Sequence, residues 1–250
     1  MRPVLLGVLI LASACQPEVR VVKKQTLDSE TTGISIDESG RRLIWQAAGL
    51  QELLPSGGES MILLRDQLPM ALRTVEDAVA VSGGRLAFVM RDEGYIVDLN
   101  TGGRVSRFCY VPEWDPQQQP VTRPVISQLS KSLAWSEDEG RLYVQPQTFE
   151  DGVLTGAQLG EFEPGFPQPR EWHELQTNFL AGGMAAVGDQ KVYLGVNQTL
   201  HLYDGKQNAT VRSWDLSPWV DDITGLAFDK SSGTFLVADG VKFVELEIAP

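Results

Sequence analysis

Alternation of apolar and polar positions runs through most of this chain in short bursts, each broken by a tight polar turn. Five segments share one pattern: an alternating strand, a turn, then a second apolar strand. They run from Thr32-Gly33-Ile34-Ser35-Ile36 to Leu43-Ile44-Trp45, from Asp77-Ala78-Val79-Ala80-Val81 to Leu86-Ala87-Phe88-Val89, and from Ser132-Leu133-Ala134-Trp135 to Leu142-Tyr143-Val144. The last two run from Gly183-Met184-Ala185-Ala186-Val187 to Val192-Tyr193-Leu194 and from Thr224-Gly225-Leu226-Ala227-Phe228 to Phe235-Leu236-Val237. Gly33, Ala78, Ser132, Met184 and Gly225 take equivalent places, about 40–55 residues apart. The turns are Asp37 to Gly40, Ser82 to Gly84, Glu137 to Gly140, Gly188 to Gln190 and Asp229 to Gly233. Their Asp, Ser and Gly residues supply the local hydrogen bonds and positive φ that a hairpin reversal demands.

Third strands are expected at Tyr95–Leu99, Leu200–Tyr203 and Phe243–Leu246, and fourth strands at Met61–Leu64, Val105–Tyr110 and Thr210–Trp214. No long helical period interrupts them. Four short strands per repeat predict an all-β fold, a β-propeller of about five blades. One such sheet cannot hide both faces alone, so the blades must pack on one another around an axis. A sixth blade fits only if the Pro-rich stretches 100–130 and 145–182 conceal one. The fifth repeat ends after its third strand, near Ile248, while Val19–Lys24 reads as a strand with no repeat of its own. The economical arrangement pairs that N-terminal strand as the outer strand of the last blade, which closes the ring and removes a sheet edge. The wording of the repeats, as in Ile223-Thr224-Gly225-Leu226-Ala227-Phe228-Asp229 and Ser232-Gly233-Thr234-Phe235-Leu236-Val237-Ala238-Asp239-Gly240, resembles bacterial YVTN, NHL and SdiA-regulated-type propellers over most of residues 30–250. That resemblance implies a fold. It leaves activity open, because such families include binding scaffolds and a few lactonase- or phytase-like hydrolases.

The first residues follow a different rule. Met1-Arg2 precedes an apolar run from Val4 to Ala12, too short to span a bilayer, and then Leu11-Ala12-Ser13-Ala14-Cys15. This resembles the lipobox of bacterial lipoproteins, with Ala12 where leucine is commonest. It implies a signal peptide over 1–14, a lipidated tether over 15–20 beginning at acylated (palmitate-bearing) Cys15, and the propeller over 21–250. By the same resemblance, Gln16 after the cysteine points to the outer membrane. The periplasm or cell surface is then the expected compartment, and the membrane is a partner through the anchor alone. With Cys15 acylated, Cys109 has no disulfide partner, and its apolar setting Arg107-Phe108-Cys109-Tyr110-Val111 reads as a buried small hydrophobe.

Composition narrows the partners. Lys plus Arg total 21 and Asp plus Glu total 33, a formal charge of −12, which loss of Arg2 with the leader makes one unit more negative. Such a surface repels nucleic acid backbones. An envelope protein or a saccharide is the expected partner class. No Gly-x-Ser-x-Gly elbow, P-loop, Gly-x-Gly-x-x-Gly or His-Glu-x-x-His occurs. His173 and His201 both fall in strand-like settings, and the tryptophans mostly lie on or beside strands. Trp114, in the Pro/Gln-rich stretch 112–124, is the aromatic expected to contact a partner.

One constellation has metal-ligand character. Residues just before each innermost strand ring one tunnel mouth in a propeller, and these include Glu30, Glu76 and Asp222; Leu129 and Ala181 hold the other two places. The turns between second and third strands open on the same face and carry Asp92, Asn197 and Asp239. Six oxygen ligands around one mouth suit a hard cation such as Ca²⁺. The same residue types are also the ordinary occupants of tight turns. The leading expectation is a non-enzymatic binding or scaffold lipoprotein. The alternative is a cation-dependent lactonase- or phytase-like hydrolase using the acidic mouth.

Overall fold

A computed structural model describes residues 19–68, 73, 77–90, 93–108, 128–150, 153–167, 169–175 and 180–249. Cys15, Glu76, Asp92, Cys109 and Trp114 lie outside the described residues. Among the described residues, twenty strands form five four-stranded antiparallel sheets. The N-terminal strand β1 (Val19–Thr26) precedes blade 1, made of β2 (Thr31–Ile36), β3 (Arg42–Gln46), β4 (Gly49–Leu53) and β5 (Glu59–Leu64). Blade 2 holds β6 (Ala78–Val81), β7 (Arg85–Met90), β8 (Glu93–Asp98) and β9 (Arg104–Phe108). Blade 3 holds β10 (Gln128–Ser136), β11 (Arg141–Glu150), β12 (Val153–Phe162) and β13 (Glu171–Glu174). Blade 4 holds β14 (Gly183–Gly188), β15 (Lys191–Val196), β16 (Thr199–Asp204) and β17 (Ala209–Asp215). Blade 5 adds β18 (Gly225–Asp229), β19 (Thr234–Asp239) and β20 (Lys242–Ile248), in the order β18-β19-β20-β1 from the axis outward.

The innermost strands β2, β6, β10, β14 and β18 each touch the next, and β18 touches β2, so the ring is closed. All five repeat positions inferred from the sequence fall on these strands. The described residues of 145–182 hold no sixth blade. Strands β11 and β12 instead lengthen to ten residues each and pair as one long hairpin. Closure is made by β1, which runs antiparallel to β20 from Val19 opposite Ile248 to Thr26 opposite Lys242, with one bulge between Val21 and Lys23. Val19 and Val21 pack with Val244 and Leu246 against blade 4, so the closing strand contributes apolar burial as well as hydrogen bonds.

Apolar clusters occupy the blade interfaces. Trp45 and Phe88 meet edge-to-face at 5.4 Å between blades 1 and 2. Phe108 and Phe162 lie 6.1 Å apart between blades 2 and 3. Tyr193 and Phe235 meet at 4.5 Å between blades 4 and 5, and Ile44, Phe243 and Leu236 fill the junction of blades 5 and 1. This division follows from alternation: in a strand, neighbouring residues face opposite blades.

Each inner strand begins at what is here named the upper face and ends at a lower-face hairpin. Several acids of those lower hairpins are latches between blades. Glu38 accepts the Gly83 amide at 3.0 Å, Glu137 accepts the Ser82 hydroxyl at 2.9 Å, and Glu139 accepts the Gln190 amide at 2.8 Å. Arg42 of blade 1 donates two bonds of 2.8 and 2.9 Å to Glu245 of blade 5. The turn acids thus serve both the reversal itself and the ring.

Candidate functional site

At the upper face the five inner strands crowd the axis. A Cβ on Gly183 would meet the Leu226 amide nitrogen at 2.5 Å, and one on Gly182 would meet the Ile223 carbonyl at 1.8 Å. Buried and part-buried side chains tie successive blades here. Ser132 donates to the Ala181 carbonyl at 2.7 Å, the Ala181 amide donates to Gln145 at 2.9 Å, and Thr224 donates to the Thr31 carbonyl at 2.7 Å. Asp77, almost wholly buried, lies directly over Gly33, where a Cβ would fall 1.7 Å from its Oδ1. The axial cavity below this collar is about 60 Å³. Ile34, Val79, Ala134, Met184 and Leu226 are among its lining residues. At about 10–15 Å³ per water by this measure, it holds a few waters.

The described members of the predicted ring share that rim. Asn197 sits at the β15–β16 turn with φ of 49°, its carbonyl accepting the Ile223 amide at 2.7 Å. Asp222 and Asp239 meet, because Asp239 accepts the amides of Asp221 at 2.9 Å and of Asp222 at 3.3 Å. Lys242 also binds Asp239, at 3.2 Å, and pairs with Asp221. Those two bonds raise the Lys242 pKa and hold its ammonium charged. Glu30 is exposed beside Thr31, whose amide donates to the Gly240 carbonyl in the same corner. Asp239 thus has an evident local job, organising the loop that enters blade 5.

The one group of three ligating side chains among the described residues lies elsewhere, in blade 3. Glu161 of β12 and Glu171 and His173 of β13 bring one ligand atom each within 4.8 Å of one another, and this trio could hold a metal ion. Glu161 is fully buried and His173 is 4% exposed, while Glu171 reaches solvent. His173 Nε2 lies 3.0 Å from Glu161 Oε1, and Arg141 Nη1 donates to Oε2 at 2.5 Å. Burial pushes the Glu161 carboxyl up, but its bonds to His173 and Arg141 together outweigh that and hold it below the usual glutamate range. The arrangement is a buried carboxylate clamped between an imidazole and a guanidinium at the interface with blade 4, where the His173 ring meets Tyr203 edge-on at 6.0 Å. Burial, and to a lesser degree the charge of Asp204, pushes the Tyr203 phenol to about 12. A cation entering this site would have to displace the proton between His173 and Glu161 and lie close to Arg141.

The sequence pattern places His173 in a strand-like setting but does not reveal this cluster. Its one visible trace is Glu161, an acid between apolar neighbours on a strand. His201 lies in β16 with its Nδ1 2.7 Å from the Ser213 hydroxyl, and burial lowers its pKa. It is a neutral packing residue at pH 7.

No protein-family model and no curated protein matches the chain. Among solved structures, the glutaminyl cyclase of Myxococcus xanthus is similar with a TM-score of 0.59 and 14% identity, over 94% of this chain and 97% of that one. The gluconolactonase XC5397 of Xanthomonas campestris is similar with a TM-score of 0.54 and 12% identity, over 87% of this chain and 72% of that one. At such identities the likeness is one of fold, and it agrees with the five-bladed ring seen here.

Proposed function

We propose that this chain is an envelope lipoprotein, held on the membrane through acylated Cys15, whose propeller is a binding module presenting its upper face to a protein or saccharide partner. The observation that carries this reading is the direction of β1. The strand enters at the lower rim of blade 5, where Val19 pairs with Ile248, and leaves at the upper face, where Thr26 pairs with Lys242. Cys15 precedes Val19 by four residues, a span of at most about 14 Å when fully extended. A lipid there would hold the lower edge of blade 5 against the bilayer and direct the opposite face outward. Of the acids on the lower face, Asp37, Asp138 and Asp189 are paired with Arg41, Lys230 and Lys206. A rim partner also fits the axial cavity, which holds a few waters, and the upper acid Asp239, whose oxygens already serve amides and Lys242.

The test is to express the full chain in a bacterium with labelled palmitate and a photo-crosslinker at Gln198 on the upper face or at Ser39 on the lower. The expected result is a labelled membrane-bound protein, loss of label and release on Cys15→Ser, and partner adducts from Gln198 only. An unlabelled soluble wild type, or adducts from Ser39 alone, would overturn it.

A further inference from the structure

Where blade 5 meets the loop arriving from blade 4, the upper rim carries a cleft of about 520 Å³ lined by Lys24, Gln25, Thr26, Trp219, Lys242 and Val244. The cleft is broadly open to solvent and larger than the axial cavity. Strand register places Lys24 opposite Val244 and Thr26 opposite Lys242, so these four side chains face blade 4 together. Trp219 comes from the other wall. It is half-buried, packed against the apolar cluster between blades 4 and 5, and its amide donates to the Leu216 carbonyl at 2.9 Å. The ring is therefore held in place while part of it stays open to the cleft.

The polar groups around this ring are balanced. Lys242 is paired with Asp221 and Asp239, and the amides of Asp221 and Asp222 fix Asp239. Lys24 is exposed on β1, while Gln25, on the opposite face of the strand, donates through Nε2 to the Gly57 carbonyl of blade 1 at 2.5 Å. Ammonium donors thus stand beside carboxylate acceptors in a preset geometry, with the two lysines offset by two aspartates. Such a wall suits a neutral ligand with adjacent hydroxyls, each of which needs to donate and to accept. A half-exposed indole suits the flat C–H face of a sugar ring. A free anion at Lys242 would meet the carboxylate of Asp221, which pairs with that lysine and whose side chain is 79% exposed.

We propose that this cleft, formed by Trp219, Lys24 and the Lys242–Asp221 pair, binds a neutral pyranoside. The proposal rests on the binding-module reading and names the ligand class for its upper rim. It assigns Trp219 the stacking surface, Lys24 and Lys242 the hydroxyl donors, and Asp221 the acceptor.

The experiment is titration of detergent-solubilised full chain with cellobiose, maltose and glucuronate, followed by tryptophan fluorescence and calorimetry at 50 and 300 mM salt. A neutral disaccharide should bind with an affinity that salt changes less than twofold, because no net charge is neutralised. Trp219→Val should abolish binding, Trp219→Phe should retain it at reduced strength, and Lys24→Met and Asp221→Ala should each weaken it about fivefold, as loss of one hydrogen bond of about 1 kcal/mol requires. Absence of binding by both neutral sugars, tighter binding of glucuronate than of either, or unchanged binding in Lys24→Met and Asp221→Ala would overturn the assignment. If it fails while Gln198 still captures a partner, the cleft is wrong and the binding-module reading stands; loss of both removes the module reading as well.

Discussion

Replacing Glu161 with Gln tests the buried clamp in blade 3. The carboxylate is fully buried and holds two charge-assisted contacts, with Arg141 at 2.5 Å and His173 at 3.0 Å. The amide keeps the shape and can still bond, but each contact falls from a charged to a neutral hydrogen bond. That difference is about 1 kcal/mol per contact, so about 2 kcal/mol in all. For a domain of this size the loss corresponds to a fall in Tm of roughly 4–8 °C. The pH dependence carries a second signature. Because the folded pKa of Glu161 lies below its ordinary value, its contribution is complete above the unfolded pKa and is lost as pH falls through the folded one. Urea denaturation of wild type and Glu161→Gln should therefore differ by about 2 kcal/mol at pH 7, and the gap should begin to narrow as pH falls below about 4. A double-mutant cycle with Arg141→Gln should show the two losses to be non-additive. A loss under about 0.5 kcal/mol at pH 7, or a gap that is the same at pH 7 and pH 3, would refute the reasoning.

Other substitutions separate packing from charge. Trp45→Ala should cost about 3–5 kcal/mol by denaturant midpoint, since the ring is fully buried, meets Phe88 edge-on and lies 4.6 Å beneath the Arg65 guanidinium. Gly33→Ala would drive a methyl into the Asp77 carboxylate and should cost about 1–3 kcal/mol, with disturbed amide resonances at Ala78. Lys230→Ala breaks a pair with Asp138 whose side chains are 45% and 64% exposed, and should cost under about 1 kcal/mol, vanishing in high salt.

Much of this architecture was legible because propeller repeats announce themselves locally. Gly33, Ala78, Ser132, Met184 and Gly225 mark the inner strands because each begins an alternation that ends in an Asp, Ser or Gly turn. The closing role of Val19–Lys24 followed from counting: one blade lacked a strand and one strand lacked a blade. Pro146 was harder to read. A proline usually breaks a strand, yet here it lies within β11, which runs on to Glu150. The site was less legible for a physical reason. Acids in turns look alike in sequence whether they latch blades, as Glu38 and Glu139 do, or organise a loop, as Asp239 does. The clamp of Arg141, Glu161 and His173 joins three strands through register, and register across a sheet is not written in any single repeat. The cleft at Trp219 likewise depends on the loop from blade 4 meeting the N-terminal strand, residues nearly the whole chain apart.

As the outer strand of blade 5, the N-terminal strand closes the ring, sets which edge the tether leaves and builds one wall of the cleft. Hydrogen exchange followed by mass spectrometry measures this directly. About half the amides of Val19–Thr26, those that point at β20, should be protected, while Lys242–Ile248, bonded by β19 on one side and β1 on the other, should be protected throughout. Exchange of the N-terminal peptide at the rate of a free chain, with β20 protected, would contradict it.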